Sequence, residues 1–173
     1  MKIVCKKTSL SAFLLLFTIL AGLLFHGMYP LFVYASENDK KQYVYDNYGL
    51  FSEKEVNELT DTCLKYSKEA QADIIMVTTN NLDGKSTTDY LEEFYDEKIF
   101  GQDEKSDSAV IMLIYLGEDR RTVDIQGYGN AEYYVNNDRV EHIIDGLSPV
   151  LKEGDYKKAF AEFAKEAAYY MNE

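Results

Sequence analysis

Charged residues vanish from the chain between Leu10 and Leu24, a run of apolar and small residues preceded by Lys2, Lys6 and Lys7. Gly27 and Pro30 then break any helix, and Val33-Tyr34-Ala35 sets small and β-branched residues where a signal peptidase reads. This pattern predicts a leader over residues 1–35, removed after Ala35. The same stretch is long enough to stay as an uncleaved anchor, because a span takes roughly 20 apolar residues. Either reading puts the rest of the chain outside the cytoplasm, secreted or anchored, and the late Val-x-Ala site suits a Gram-positive-type cell envelope. Cys5 precedes the apolar run, so it is not placed like the acylated cysteine of a lipoprotein. Residues 36–42 are polar and form a tether, and residues 43–171 form one domain.

Beyond the tether the hydrophobic spacing switches repeatedly between helical and strand periods. Tyr43 to Asp46 is a short extended segment. Ser52 with Glu55 makes a capping box, and Val56, Leu59, Cys63, Tyr66 and Ala70 recur at three- and four-residue steps, which marks one buried helix face. "ADIIMVTT", Ala72 to Thr79, is a continuous apolar run, as a strand covered on both faces requires. Ser86 with Asp89 caps a second helix to about Phe100. "SAVIMLIYL", Ser108 to Leu116, is the strongest strand signal and belongs at the sheet centre. The turn "GEDRR", with Asp119 and Arg120, leads into Thr122 to Gln126, a connection short enough to make an antiparallel hairpin. Asn136 or Asn137 caps a helix through Ile143 and Ile144 that Gly146 and Pro149 are expected to interrupt. Asp155 caps the last helix, whose Tyr156, Ala159, Phe160, Phe163 and Ala167 share a face.

The order is β-α-β-α-β-β-α-α, which predicts an α/β fold: a three-layer sandwich with a mixed four-stranded sheet and helices on both faces. Helical crossovers make the first three strands parallel, and the fourth returns antiparallel along an edge. On that topology Asp46 and the Asp119-Arg120 turn lie at one end of the sheet. Asp107, Tyr128, Asn137 and Asp138 lie at the other.

Charge narrows the partners. The chain has 18 basic and 30 acidic residues; with the three leader lysines set aside, 15 basic residues face 30 acidic ones, a net of −15. Such an excess repels nucleic acid and anionic headgroups, so any membrane contact runs through the N-terminal segment, and divalent cations or basic partners are the compatible ligands. Cys63 alone remains after the leader, so no intramolecular disulfide forms, and its place within the helix stripe reads as packing.

Catalytic motifs are thin. His142 is the single histidine outside the leader, and GxSxG, HExxH, CxxC and P-loop patterns are absent. Gly127-Tyr128-Gly129 follows a strand, which raises a phosphate-cradling loop. The dinucleotide fingerprint needs a third glycine where Glu132 stands, and the next helix is expected only near Asp138, too far for its amides to reach a phosphate there. Gly127, Tyr128, Gly129, Tyr133 and Tyr134 read instead as an interaction rim beside acidic loops, or as tyrosines packing a sheet edge.

"YVYDNYGLFSEKEVNEL", "ADIIMVTT", "SDSAVIMLIYLGEDRRTVDIQGYG" and "LKEGDYKKAF" occur in the order and spacing of the TPM domain family, which nearly all of Tyr43 to Met171 resembles. The resemblance implies a mixed sheet between helices and an exported or lumenal setting. It implies less about role: a plant relative of the thylakoid lumen is associated with photosystem repair and weak acid phosphatase activity, with calcium near aspartates, and an animal relative assists a membrane receptor. Carried over by position, the family's acidic residues fall on Asp46 and Asp107, its Asp-Arg pair on Asp119-Arg120, and its next aspartate on Asn137, beside Asp138. Asn-Gly usual after the second aspartate is Ser108-Ala109 here, and Asn137 removes a charge from a shared cation site.

Three expectations follow. The first is a non-enzymatic extracytoplasmic interaction or assembly module, with no catalytic residue, for an unidentified extracytoplasmic or membrane protein. The second is a weak divalent-cation-dependent acid phosphatase. The third is a module that binds calcium, or another divalent cation, through Asp46, Asp107, Asn137 and Asp138 as one site or two, without catalysis.

Overall fold

In the computed structural model the described residues are 41–98 and 108–173. The leader, most of the tether and Asp107 lie outside them.

Four strands form one sheet in the order β1-β2-β3-β4: β1 (Val44–Asp46), β2 (Asp73–Thr79), β3 (Ala109–Leu116) and β4 (Arg121–Tyr128). β1 and β2 are parallel, β2 and β3 are parallel, and β3 and β4 are antiparallel, as the connection lengths require. One row of partners runs Val44, Met76, Met112, Ile125; the next runs Tyr45, Val77, Leu113, Asp124. Successive side chains of a strand point to opposite faces, so these rows lie on opposite faces of the sheet.

Five helices accompany the strands among the described residues. α1 (Glu53–Ala70), α4 (Asn137–Glu153) and α5 (Tyr156–Met171) pack together over the Met76-Met112 face, and α2 (Thr87–Lys98) leans on β3 and β4 from the other side. Tyr45 shows the second face directly, its ring meeting that of Phe94 of α2 edge-on at 4.9 Å. The sandwich therefore has three layers, with β2 and most of β3 wholly buried between helices.

Local chemistry sets where each helix begins. Ser52 Oγ accepts from the Glu55 N–H while Glu55 Oε2 accepts from the Ser52 N–H, so two amides that the first turn cannot pair internally are satisfied reciprocally. Ser86 Oγ accepts from the Asp89 N–H, Asn136 Oδ1 from the Arg139 N–H, and Asp155 Oδ1 from the Lys158 N–H. Phe51, just before the first cap, reaches the ring of Phe160 at 5.9 Å and ties α1 to α5. Phe160 and Phe163 are fully buried beneath α1, and burying each ring stabilises the fold by about 2 kcal/mol.

Two local expectations are corrected. Gly146 and Pro149 do not interrupt α4, which runs unbroken to Glu153. Pro149 does remove one helical N–H, but Ile143, Leu147 and Val150 on either side of it are buried, and their packing outweighs the lost bond. The helix stops where Gly154 adopts φ +79° and its N–H returns to Leu151 and Val150 carbonyls. The second correction concerns the segment after the glycines: a one-turn helix, α3 (Ala131–Tyr134), stands before α4, so helical structure starts earlier than Asp138.

Candidate functional site

At the carboxyl end of β1, Asp46 is engaged on every side. Its Oδ1 accepts from the N–H groups of Gly49 and Leu50 at 3.1 and 3.0 Å and from the Thr78 hydroxyl, and its Oδ2 accepts from the Phe51 N–H at 2.9 Å. The loop folds back over the carboxylate because Gly49 takes φ +78°, a conformation that other side chains adopt at a cost. Four donors fix this aspartate as the organiser of the loop that delivers Phe51 and the capping box to the core. The turn holding Asp119 and Arg120 lies at the same end, where Tyr48, Tyr115, Glu118 and Asp119 border an open depression. Arg120 lies over the Tyr115 ring, 5.8 Å from its centroid.

The opposite end of β4 is built differently. Gly127 lets the strand and α3 touch: a Cβ there would meet the Ala131 carbonyl oxygen at 2.7 Å and its carbon at 2.8 Å. The space that a cradling glycine loop keeps for a phosphate is thus filled by the protein's own backbone. Gly129 takes φ +60° and turns the chain into α3. Tyr128 is half-buried, stacked flat on Tyr95 of α2 with centroids 4.3 Å apart. Burial pushes its hydroxyl pKa well above the usual tyrosine value, and the negative charges of Asp124, Glu92 and Asp96 push it further. It is a neutral, packed tyrosine.

Beside it, a groove of about 500 Å³ opens between α2 and the start of α4. Gln126, Gly127 and Tyr128 form part of its floor, and Glu92, Glu132 and Asp138 stand on its walls with Asn136 and Asn137. The sheet separates this groove from Asp46: Tyr128 pairs with Ala109 at the start of β3, whereas the row of Asp46 passes Ile114 near its end. Asn137 and Asp138 are brought together in the groove, Asp46 and Asp119 are brought to the far end, and Asp107 lies outside the described residues. Among the described residues no three carboxylate, imidazole or thiol groups gather closely enough to hold one ion.

The tyrosines after the glycines form a surface. Tyr133 is 82% exposed and Tyr134 sits edge-on to it at 5.5 Å. Arg139 holds them in place: its Nη1 donates to the carbonyls of Tyr134 at 2.8 Å and Tyr170 at 3.2 Å, and its Nη2 pairs with Glu173 at 3.0 Å. The guanidinium also lies 5.0 Å from the Tyr170 ring centroid, and the exposed Tyr169 donates to Glu173. One arginine therefore joins α3, α4 and the end of α5 under a patch of four tyrosines.

Residue-type reasoning did not single out Glu92, Arg139, Tyr169 or Tyr170. Thr88, Glu92 and Tyr95 recur at four- and three-residue steps, so one face of α2 was readable as a unit. The Arg139 latch joins residues 31 and 34 positions apart and leaves no local signal. Cys63 is wholly buried and its thiol is pushed up to about 12 by burial, which makes it inert packing. His142 meets the Tyr170 hydroxyl at 3.4 Å on an exposed surface.

Comparison with known proteins adds the family. Residues 44–170 match the TPM domain. The UPF0603 protein YdjH of Bacillus subtilis (strain 168) is 31% identical over 126 residues, which take in 73% of this chain and 46% of that protein, so the chain spans about half the length of this relative. Among solved structures, a domain from P. gingivalis superposes with a TM-score of 0.63 at 16% identity, covering 78% of this chain and 85% of the other. The N-terminal domain of cg2496 from Corynebacterium glutamicum gives 0.58 at 15%, covering 78% and 83%. The BA42 protein of Bizionia argentinensis gives 0.59 at 16%, covering 70% and 81%. These three likenesses speak for the fold, and the matched pattern and the identity to YdjH speak for descent: the chain belongs to the TPM domain family.

Proposed function

We propose that this TPM domain is a non-enzymatic interaction or assembly module working on the outer side of a membrane, to which its N-terminal segment delivers or anchors it. The carrying observation is Tyr133, 82% exposed on a turn that packs closely on Gly127 and that Arg139 ties to the end of α5. Exposed aromatics beside an arginine are the residues that contribute most at protein interfaces, and a rigid frame lowers the entropy lost when a partner binds. The leader's apolar run supports the setting.

The alternative phosphatase reading needs cations to offset charge on a phosphoryl group. Arg139 is spent on two carbonyls and Glu173, Arg121 donates to the Tyr156 hydroxyl, and Arg120 covers Tyr115. A phosphate at any of these arginines would have to displace those contacts in a strongly acidic protein. A calcium-holding role at Asn137 and Asp138 would show as a rise in melting temperature at millimolar calcium, since a ligand of the folded state stabilises it.

Crosslinking in intact cells tests the interaction reading. The crosslinked partner of the full chain should be lost on combining Tyr133→Ala with Tyr134→Ala, with the melting temperature kept. Hydrolysis of a defined phosphomonoester that Asp138→Ala abolishes would overturn it.

A further inference from the structure

We propose that the outer edge of β4 is a strand-addition site for an extended segment of another protein, cationic where it passes Tyr128 and apolar where it passes Arg121. This rests on reading the domain as an interaction module and names the chemistry of the partner.

Among the described residues β4 pairs with β3 alone and closes one side of the sheet. At eight residues without proline it is a far longer template than β1, the three-residue strand on the other side. Its surroundings show that this edge is open. Side chains alternate between faces along a strand, so consecutive residues line one groove only where the groove opens on the strand's edge. Ile125, Gln126, Gly127 and Tyr128 all line the groove beside α2. Arg121, Thr122 and Val123 all line a second groove, of about 260 Å³, beneath α4. The first groove opens at the edge itself, and the second, which also takes in Ile114 and Leu116 of β3, lies under α4 beside the same strand; β4 pairs on one side alone, so its outward backbone N–H and C=O groups can bind an added strand.

The walls specify what the added strand carries. Glu92, Glu132 and Asp138 line the groove at the Tyr128 end, all three are exposed, and no basic residue lines it with them. None of the three makes a hydrogen bond or ion pair among the described residues, in contrast to Asp124, which accepts from Thr88 and Gln126. Lysine or arginine side chains complement this end. At the other end the half-buried Val123, Ile144 and Leu151 offer an apolar surface, and Arg121 and Lys152 at its border disfavour a further cation. Complementary charge at one end and apolar contact at the other also set the direction in which the segment lies.

Labelled peptides and the full chain provide the test. An alternating lysine-valine heptapeptide should bind, by fluorescence anisotropy, about tenfold or more tightly than its glutamate-valine counterpart. It should slow hydrogen exchange of amides within residues 121–128. Combining Glu92→Lys with Asp138→Lys, both exposed changes, should weaken binding about tenfold while the protein stays folded, its melting temperature lowered only by the reversed charge in the first turn of α4. Equal binding of a lysine-proline peptide, which keeps the charge and lacks N–H donors at alternate positions, would overturn strand addition, as would exchange protection confined elsewhere. Self-association through β4 that blocks the peptide would make a second copy the occupant and overturn the proposed partner. If the peptides fail while Tyr133→Ala with Tyr134→Ala still removes the cellular crosslink, strand addition falls and the interaction reading stands; the reverse result separates them the other way.

Discussion

Asp46 and Asp138 are both aspartates at ends of the sheet, yet the protein uses them in opposite ways. Asp46 accepts four hydrogen bonds from its own loop and from Thr78, and its charge is consumed in holding that loop. Asp138 stands exposed on the wall of a groove with Glu92 and Glu132 and makes no bond of its own among the described residues. One end of the sheet spends its carboxylate on folding. The other leaves its carboxylates exposed and unbonded among the described residues. An acidic residue's place in a family pattern therefore does not tell what it does; the number of donors around it does.

The largest expected effect breaks the first half of that contrast. Asp46→Ala leaves three amides and a hydroxyl without their common acceptor and frees a loop that positions Phe51 against Phe160. Losing bonds to a charged acceptor should cost about 3 kcal/mol of unfolding free energy, read as a lower urea midpoint at unchanged slope. Asp138→Ala should cost about 0.5 kcal/mol, since it loses little beyond a favourable charge in the first turn of α4. Equal losses would mean that the two ends do not differ as described.

Gly127→Ala comes next. A methyl group placed 2.7 Å from the Ala131 carbonyl forces α3 away from β4, and overpacking of this kind costs about 2 kcal/mol. The displacement should reach the Tyr133-Tyr134 patch, so a change in the ring signals of those tyrosines by NMR ought to accompany the loss of stability. Unchanged stability would show that α3 can lift off freely.

Much of this architecture was written in local patterns. The capping box at Ser52 and Glu55, the apolar runs of β2 and β3 and the brief Gly117–Arg120 connection each specify an element through neighbours a few residues away, and all of them appear as expected. What stayed illegible depends on distant partners. Pro149 reads as a helix breaker until Leu147 and Val150 on either side of it are seen to be buried. Gly127 reads as part of an interaction rim, and that it is there for close packing emerges only when Ala131 is seen filling the space of its missing Cβ. Tyr128 reads equally as a rim residue or as packing on the sheet edge, and Tyr95, 33 positions earlier and stacked on it, decides for packing. Asp46 could be recognised as significant from its motif, and only the geometry of Gly49, Leu50 and Phe51 reveals that its work is structural.

Alkaline pH sharpens the contrast further. Burial and nearby carboxylates raise the Tyr128 pKa in the folded state above the ordinary 10.0. The unfolded chain then releases this proton first, so the contribution is fully present below pH 10 and is lost as pH rises beyond it, until the ring ionises in the folded protein. Tyr128→Phe removes the hydroxyl and keeps most of the stack on Tyr95. Its stability should fall less steeply above pH 10 than that of the unaltered protein, measured by urea unfolding at successive pH values. Parallel curves for the two proteins would place the strain of the alkaline fall elsewhere.

Glu92→Gln is expected to have the smallest effect on stability and the most specific one on the groove. The side chain is exposed and unbonded among the described residues, so exchanging its charge for a neutral amide of the same shape should change unfolding free energy by less than about 0.5 kcal/mol. Its negative charge is nevertheless one of the influences that hold the Tyr128 proton in place. Removing that charge should let Tyr128 ionise at a lower pH, visible as the difference in tyrosinate absorbance between Glu92→Gln with and without Tyr128→Phe. The same variant should weaken a lysine-bearing strand at β4, because it removes one of three carboxylates without disturbing the floor of the groove. A Tyr128 titration that does not move would mean that solvent screens Glu92 from the ring, and the carboxylates of this end would then act as separate surface charges.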